Sequence, residues 1–416
     1  MRIAIIGAGV SGLVAAHQLH AAHDVNVYEA ASWVGGHTHT VTVEDPAGPV
    51  AVDTGFIVLN DRNYANFERL LDRLGVETQR APMSFSVSDD EGSFEWSSGS
   101  LNGVFACRGH VIDLAFHRMI RDLVRFNREA RQLIGLNGSG PSLGTWLDQN
   151  DYSREFIQRL IVPQASAVWS ADPEQMWSFP ASFLAEFFDN HGQLGFAGRP
   201  RWRSIVGGSA RYVDRLTAPF ADRIRTDTPV VWIERDDHGV TVQARGHDPE
   251  RFDHVVLALH SDQALRLLRD PSDGEREILG AIPYQANDVV LHTDRSLLPR
   301  RRRAWASWNF HLLDDPPPRS TVTYDMNRLQ RLASAEQYSV TLNRTDVIDR
   351  AAIVGRWTYE HPVFTRASVA AQARHAEISG RRRTHYCGAY WGYGFHEDGV
   401  ASALRACEPF GVGVIA

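Results

Sequence analysis

Apolar positions in the first thirty residues change their spacing twice. Residues 2–6 (RIAII) form a short apolar run, residues 11–20 (SGLVAAHQLH) place apolar side chains at helical spacing, and residues 25–29 (VNVYE) form a second short run. This order predicts a strand, a helix and a second strand. The turn before the helix contains three glycines in the spacing G-x-G-x-x-G, at Gly7, Gly9 and Gly12.

The glycine turn lies in the context that a dinucleotide-binding fingerprint requires. Gly7 permits a tight turn, Gly9 lets the backbone approach a pyrophosphate, and Gly12 lets the helix pack closely on the strand. The helix N-terminus offers free N–H groups and the positive end of its dipole to phosphates. Glu29 ends the second strand, where an acid accepts hydrogen bonds from ribose hydroxyls and disfavours the 2′-phosphate of NADP. The sequence therefore predicts a bound dinucleotide.

Composition narrows the class of protein further. The 416 residues are 43% hydrophobic, which is enough for a large core divided between two lobes. The formal net charge of −7 argues against a nucleic-acid-binding protein. All 43 basic residues are arginine, so a lysine Schiff base and a lysine-bearing phosphate loop are excluded.

The cysteine content and the length of the apolar runs indicate the cellular compartment of the protein. The three cysteines form no CxxC pair and leave an odd count, which favours a reducing cytoplasm over a disulfide framework. The sequence shows no secretion signal and no apolar run of about 20 residues. We therefore expect a cytoplasmic protein, with contact to the inner membrane surface left open.

Four later stretches identify a family resemblance. They are EAASWVGGHTHT, VAVDTGFIVLN, RSIVGGSARYVDRL and THYCGAYWGYGFHEDGVASAL. Together with the glycine turn they resemble the flavin-containing amine oxidase, protoporphyrinogen oxidase and carotenoid desaturase superfamily, nearly from end to end. The resemblance implies FAD as the cofactor and an α/β fold: an FAD-binding Rossmann-like domain of the glutathione-reductase/amine-oxidase type with an α+β substrate domain.

The resemblance also assigns the residues that would bind FAD. Those expected around the ADP half and the phosphates are Gly7, Gly9, Val10, Ser11, Gly12, Glu29, Gly35, Gly36, His37, Gly55 and Phe56. Val231 matches the strand whose backbone meets the adenine, and Glu397, Asp398, Gly399 and Val400 match the segment against the flavin ring and ribityl chain, in a helix opening near Gly399. His37 stands where the superfamily often has arginine, which leaves the charge beside the phosphates open.

Helical spacing over residues 110–160 and strand patterns over residues 285–345 complete the domain prediction. The FAD-binding domain is predicted to be discontinuous, over residues 1–80, 200–265 and 375–416. The substrate-binding domain is predicted over residues 81–199 and 266–374, with a helical part and a mixed sheet.

A narrower resemblance suggests the substrate. VDTGFIVLN, PMSFSVS, RPRWRSIVGGSARYVDRL and YWGYGFHEDGVASAL look like a flavoprotein subgroup that accompanies cyclopropane-fatty-acid-synthase-like methyltransferases. One branch of it desaturates methylated phospholipid acyl chains in the furan fatty acid pathway. The predicted function is therefore desaturation of a methyl-branched lipid acyl chain. An amine or amino-acid oxidase, and a flavin-bearing accessory protein to a lipid methyltransferase, are the alternatives.

Candidate catalytic and substrate-lining residues come from the aromatic stretches. Trp169, Phe187, Tyr390 and Phe395 are expected to line the substrate path, because substrate pockets are mostly apolar. Tyr393, His396 and His191 are the candidate proton acceptors. His191 precedes a glycine, so a structural role at a helix end is its alternative.

The stretch LLPRRRRAWASWNF, residues 297–310, has two interpretations. Four consecutive arginines beside two tryptophans suit the anionic headgroups of a membrane. The alternative is a solvated turn that leads into a strand.

Overall fold

The computed structural model describes residues 1–136, 140–195 and 197–411. Its strands are β1 (Arg2–Ile6), β2 (Asp24–Tyr28), β3 (Thr40–Val43), β4 (Val50–Asp53), β5 (Leu59–Asn60), β6 (Thr78–Arg80), β7 (Phe85–Asp89), β8 (Glu95–Ser97), β9 (Trp202–Ile205), β10 (Ile224–Arg225), β11 (Val230–Asp236), β12 (Gly239–Ala244), β13 (Glu250–Phe252), β14 (His254–Leu257), β15 (Tyr284–His292), β16 (Trp308–Leu312), β17 (Val322–Asp325), β18 (Ser339–Leu342), β19 (Ile353–Pro362) and β20 (Thr384–Tyr386).

The α-helices alternate with these strands in the first and last parts of the chain and follow one another in the middle. They are α1 (Val10–Leu19), α2 (Ala65–Leu74), α3 (Leu101–Val104), α4 (Leu114–Glu129), α5 (Leu143–Gln149), α6 (Arg154–Phe156), α7 (Val162–Trp169), α8 (Ala181–Asn190), α9 (Ala210–Thr217), α10 (Ser261–Leu267), α11 (Asp273–Gly280), α12 (Met326–Leu329), α13 (Arg366–Gln372), α14 (His375–Ile378) and α15 (His396–Cys407).

A five-stranded parallel sheet carries the glycine turn. Its strand order is β10-β2-β1-β14-β20, so the two ends of the chain meet in one sheet. Successive side chains of β1 point to opposite faces. Ile3 and Ile5 pack with α1 and α15, whereas Ile6 packs with Val240 of the three-stranded sheet β11-β12-β13. Both faces of the parallel sheet are therefore covered, which explains the continuous apolar run of β1.

A seven-stranded sheet forms the second layer system, in the order β19-β15-β18-β17-β16-β7-β8. All neighbours pair antiparallel except β16 and β7, which are parallel. Helices α4 to α8 pack against this sheet, and their core includes Phe116, Met119 and Phe126 of α4. A small sheet in the order β5-β9-β6 lies between the two systems.

The predicted fold class is confirmed: the chain has an α/β fold with a parallel FAD-type sheet and a mixed second sheet. The predicted helix near Gly399 begins earlier, at His396, because Asp398 accepts a hydrogen bond from the Phe395 N–H at 2.9 Å and caps it. The domain boundaries stay predictions, and residues 137–139, 196 and 412–416 within them lie outside the described residues.

Candidate active site

The glycine turn forms one wall of a cavity of about 1110 Å³. Gly7 has φ +101°, and a Cβ there would lie 2.5 Å from the Ala258 carbonyl oxygen. A Cβ on Gly12 would lie 1.9 Å from the Gly7 carbonyl oxygen, so α1 packs directly on the turn. A Cβ on Gly9 would meet nothing within 4 Å, because it would point into the open cavity. The backbone of the turn therefore forms a cradle, and a methyl group on Gly9 would occupy part of the open space in front of it.

The start of α1 and the end of β2 complete the cradle. No side chain caps α1, which leaves its first N–H groups directed at the cavity beside Val10 and Ser11. The Glu29 carboxylate accepts hydrogen bonds from the Ala8 and Ala31 N–H groups, both at 2.8 Å. These bonds fix the Glu29 carboxylate on the cavity wall. Its remaining lone pairs can accept hydrogen bonds from ribose hydroxyls.

A second glycine pair faces the first across the cradle. Gly35 and Gly9 form a β-bridge between the two loops. Gly36 has φ +59°, and a Cβ there would lie 3.1 Å from the Gly9 Cα. Gly55 lies against the His37 carbonyl, where a Cβ would approach to 2.2 Å. Phe56 lines the cavity next to it.

His37 is the residue of the cradle that has unmet hydrogen-bonding capacity. Its Nε2 is buried and has no hydrogen-bond partner among the described residues, although the side chain lines the cavity. Burial and the neighbouring His361 hold its pKa well below the ordinary value, so the ring is neutral. An orphaned buried nitrogen on the wall of a glycine cradle fits a dinucleotide phosphate or ring as its missing partner.

Six of the residues predicted to bind FAD lie outside the described lining of the cavity: Gly12, which packs on the turn, and Val231, Glu397, Asp398, Gly399 and Val400. Val231, on β11, is 40% exposed. Glu397 accepts hydrogen bonds from the Asn66 and Phe67 N–H groups at the start of α2, and Asp398 caps α15. Gly399 accepts from Ser11 Oγ at 3.0 Å, with Val400 buried behind it. These residues hold α1, α2 and α15 together, and their cofactor contacts stay predictions.

Another part of the cavity lining is aromatic, and we call it the aromatic wall. Trp169, Phe187, Tyr390, Tyr393 and Phe395 all line it, so the structure brings together every residue predicted for the substrate path. Phe187 stacks on Phe395 with 5.3 Å between ring centroids, and Trp169 Nε1 donates to the Tyr393 carbonyl at 3.0 Å. A π-helical turn at Ile157–Ile161 leads into α7 and places two further apolar side chains on this wall.

The side chains of the three candidate proton acceptors already form hydrogen bonds within the protein. His396 Nε2 lies 2.9 Å from Thr38 Oγ1 and 3.1 Å from Tyr212 Oη, and burial lowers its pKa to about 3. His191 bonds the Phe187 carbonyl through Nδ1 at 2.9 Å, and burial lowers its pKa to about 4. Burial raises the pKa of Tyr393 above its ordinary value. Each lines the cavity as a neutral group at neutral pH, and their catalytic roles stay predictions.

Four arginines that sequence reasoning missed stand on the cavity wall. The structure places Arg80, Arg199, Arg201 and Arg331 there, and we call them the arginine rim. The antiparallel pairing of β6 with β9 joins the segments, since the Ala81 N–H donates to the Trp202 carbonyl at 2.9 Å. Gln79 Nε2 donates to the Gln330 carbonyl at 2.5 Å and brings Arg331 beside Arg80.

The rim has few counter-charges. Arg201 approaches Asp61 at 4.0 Å, while Arg80, Arg199 and Arg331 form no ion pair within the described parts of the chain. All four side chains are exposed at the cavity. The two carboxylates on the wall, Glu29 and Glu360, lie on the cradle side, where Glu360 follows Tyr359 next to His37.

Taken together, the glycine cradle, the uncapped helix and the acid after β2 define an FAD-type dinucleotide site. The family model of flavin containing amine oxidoreductases matches residues 10–311, and the chain belongs to this family. Members of the family are FAD-dependent oxidoreductases, and FAD is its standard cofactor. The predicted superfamily and cofactor are therefore confirmed, and the cradle fits FAD.

Individual relatives are distant. The flavin-dependent L-tryptophan oxidase RebO of Lentzea aerocolonigenes is 26% identical over 280 residues, which cover 62% of this chain and 58% of the relative. Amine oxidase [flavin-containing] B of Cavia porcellus is 24% identical over 284 residues, covering 62% and 50%. The matched region thus spans only about half the length of these relatives. The solved CLA-producing fatty acid isomerase from P. acnes has a TM-score of 0.72 at 17% identity, over 98% of both chains, and shares the fold.

Proposed function

We propose that the chain is an FAD-dependent oxidoreductase that desaturates a methyl-branched lipid acyl chain with an anionic end. The observation that carries the proposal is that the cradle, the aromatic wall and the arginine rim all line one cavity. A substrate that binds beside FAD in this cavity would present an apolar chain to the aromatic wall and a carboxylate or phosphate to the rim. An amphiphilic lipid has this arrangement.

The proposed reaction removes two hydrogens from adjacent carbons of the acyl chain. When bound, FAD would supply a two-electron acceptor for a hydride from one of these C–H bonds, and the second hydrogen would leave as a proton, for which Tyr393, His396 and His191 on the cavity wall are the candidate acceptors. A C–H bond next to an existing double bond is the most reactive, because the positive charge left behind is delocalised. The aromatic side chains hold the chain in place and exclude water, and the neutral imidazoles of His191 and His396 add no charge to the wall.

The narrower sequence resemblance supports the same substrate class. The stretches VDTGFIVLN and YWGYGFHEDGVASAL resemble flavoproteins that accompany lipid methyltransferases. The name of one structural neighbour, a fatty acid isomerase, is in keeping with an acyl ligand. A methyl branch on the chain would come from a reaction that transfers a methyl group to an unsaturated lipid.

The test is anaerobic mixing of the FAD-loaded protein with phospholipids that carry a methyl-branched, monounsaturated chain. We expect the visible flavin band to bleach and the lipid to lose two hydrogens by mass spectrometry. The Phe187→Ala variant should change the chain-length preference, because Phe187 lines the cavity. Phe156→Ala is the matched control, since Phe156 is equally buried in the same helical region but lies off the described wall. Unbleached flavin with both free acids and phospholipids contradicts the proposal.

An amine or amino-acid oxidase is the second candidate, because the two curated relatives are named for such substrates. The absence of lysine from the sequence speaks against it, since amine oxidases of the superfamily usually place a lysine near the flavin. Hydrogen peroxide released with a panel of amines and amino acids, but not with lipids, would favour this candidate. Flavin that no lipid reduces, in a stable complex with a lipid methyltransferase, would favour the accessory role.

A further inference from the structure

An apolar face projects from the helical part of the chain between β8 and α4. It consists of Leu101, Val111, Ile112 and Leu114, whose exposed fractions are 79%, 54%, 85% and 84%. Four large apolar side chains at this exposure within 14 residues exceed the scattered exposure usual on a soluble surface. We refer to these four residues as the apolar face.

The backbone that carries the apolar face is held internally. Ser100 Oγ accepts from the Gly103 N–H at 3.1 Å and caps α3, and Asp113 Oδ1 accepts from the Ala115 N–H at 2.9 Å and caps α4. His117 Nε2 lies 2.8 Å from the Val111 carbonyl. The exposed side chains therefore stand on a fixed backbone.

The inward side of the same segment is fully packed. His110 stacks on Phe116 with 4.2 Å between ring centroids, and Phe105 packs against Phe116 at 5.9 Å. Phe116 is 2% exposed. Because aromatic side chains already fill the space beneath, the apolar face has no room to turn into the core.

Arginines lie in and next to the segment that carries the apolar face. Residues 100–121 contain three arginines, at Arg108, Arg118 and Arg121, and one acid, Asp113, in a chain whose formal net charge is −7. The arginine run of residues 300–303 adjoins the same face, because Arg303 Nε donates to the Ala106 carbonyl at 2.7 Å. The local charge is therefore opposite in sign to that of the whole chain.

Several of these cations are available to an external anion. Arg108, Arg118, Arg302 and Arg303 form no ion pair in the described ranges, and all are exposed. Arg301 differs, since it is paired with buried Glu95 at 2.9 Å and belongs to the fold. Arg301 is therefore a structural residue, whereas Arg302 and Arg303 lie at the surface, and the membrane interpretation of the run stays a prediction.

We propose that the apolar face and its arginines dock the protein on one leaflet of an anionic membrane. The apolar side chains enter the acyl boundary while the arginines contact the lipid phosphates. No described helix is long and apolar enough to cross a bilayer. The segment that carries the apolar face, residues 101–114, lies between residues that line the cavity. Trp96 and Ser98 precede it, and Leu123 and Phe126 of α4 follow it.

The test is binding of the FAD-loaded protein to vesicles. We expect sedimentation with phosphatidylcholine vesicles that contain about 30% phosphatidylglycerol, weak sedimentation without it, and loss of binding at about 1 M NaCl, where the Debye length is about 3 Å. The Ile112→Ser/Leu114→Ser and Arg302→Glu/Arg303→Glu variants should each lower the partition coefficient at least tenfold. Matched controls are Val347→Ser/Val354→Ser, at exposed valines elsewhere, and Arg276→Glu on α11, which should bind like the wild type.

A spectroscopic readout separates insertion from adsorption. All three cysteines are buried, so a Leu114→Cys variant can be labelled selectively with an environment-sensitive fluorophore. Its emission should shift to the blue on anionic vesicles, whereas a label at Val347→Cys should not shift. FAD content of each variant should equal that of the wild type, and so should the unfolding midpoint of the serine and cysteine variants, because their substituted side chains are exposed; Arg303→Glu also removes the hydrogen bond to the Ala106 carbonyl, so the serine variant is the decisive one.

Two outcomes would overturn the proposal. One is wild-type partitioning on anionic vesicles that the serine variant retains in full. The other is a wild-type dimer in solution that the serine variant converts to a monomer, which would assign the apolar face to a second copy of the chain. Neither readout involves turnover, so a failure here is distinguishable from a failure of the proposed oxidoreductase activity.

Discussion

The cradle and the aromatic wall line the same cavity but are built from different parts of the chain and by different means. The cradle consists mainly of backbone: close approach leaves no room for a side chain at Gly7 and Gly55, and Gly9 leaves the cavity in front of it open. The aromatic wall consists of side chains such as Phe187, each held by its neighbours' packing. Backbone in a tight turn has few alternatives, whereas side chains on a wall can be exchanged with little effect on the backbone behind them.

This difference suggests how function is divided between the two walls. The cradle recognises phosphates and ribose, whose chemistry is the same whatever the substrate. Under the proposed function, the aromatic wall and the rim would recognise the substrate, so their residues would decide which molecule is oxidised. Membership of a family with amine and amino-acid oxidases is compatible with a different substrate for the same reason.

The largest predicted effect concerns two glycines of the same turn. Gly12→Ala places a Cβ 1.9 Å from the Gly7 carbonyl oxygen, so we expect loss of both stability and bound FAD. Gly9→Ala has room for its methyl group and φ of −75°, which alanine adopts freely. We expect this variant to fold with an unchanged unfolding midpoint as the apoprotein, yet to bind FAD at least about 100-fold more weakly, a loss of about 2.7 kcal/mol.

FAD titration and urea unfolding of the apoproteins measure the two effects separately. Gly280→Ala is the control, because its methyl group makes only ordinary contact with Leu265 at 3.8 Å. Equal FAD affinity of Gly9→Ala and wild type would show that the open space before Gly9 is not where the cofactor lies.

The cradle could be predicted from sequence because its requirements are local. Gly7, Gly9 and Gly12 act within one turn, and Glu29 follows on the next strand. The start of α15 was placed near Gly399, three residues late, because the cap formed by Asp398 depends on the Phe395 N–H rather than on the usual cap residues. The aromatic residues were found as a group, since aromatic runs mark apolar walls whatever their exact orientation.

The arginine rim had no local signal. Arg80, Arg201 and Arg331 are brought together by the pairing of β6 with β9 and by the contact of Gln79 with Gln330. These contacts join positions more than 120 residues apart, and each arginine in isolation resembles a solvated surface residue. The apolar face was missed for a related reason, because helical spacing over residues 110–160 does not show which face stays exposed.

Acid is expected to destabilise both halves of the molecule. Burial lowers the pKa values of seven histidines to about 4 or about 3: His191, His292, His311, His361, His375, His385 and His396. Below the ordinary histidine pKa the unfolded chain binds protons that the folded chain does not, so stability falls as the pH falls. Each group contributes at most about 1.4 kcal/mol per pH unit.

Five carboxyl groups act in the opposite direction, because burial raises their pKa values: Asp53, Glu68, Asp325, Glu397 and Asp398. The largest of these shifts bring the pKa of Asp53 to about 6 and that of Asp398 to about 7, so the folded chain takes up these protons first. The histidines outnumber the carboxyl groups, and the pKa values of the other three carboxyl groups are shifted less, so we expect a net loss of several kcal/mol between about pH 7.5 and pH 5.5 by urea unfolding. His311→Asn should flatten the slope by about one proton. A free energy of unfolding that rises on acidification would contradict the burial of these histidines. If FAD is released at a higher pH than the pH at which the chain unfolds, the cradle is the more acid-sensitive part of the molecule.

The smallest predicted effect concerns the rim and tests the substrate class most directly. In the Arg80→Ala/Arg331→Ala variant we expect KM for a charged lipid to rise about tenfold, or about 1.4 kcal/mol, with kcat nearly unchanged. The two guanidinium groups are exposed and unpaired in the described chain, so their loss leaves no buried charge behind. KM for the methyl ester of the same acid should not change, because the ester has no anion for the rim to bind.

The comparison of lipids identifies which anion the rim receives. A selective rise in KM for free acids assigns a carboxylate, and a selective rise for phospholipids assigns a phosphate diester. Arg276→Ala, an exposed arginine on α11 away from the cavity, is the control and should alter no constant. An equal rise in KM for the ester and the acid would show that the variant acts through the shape of the entrance, and the aromatic wall would then carry substrate recognition alone.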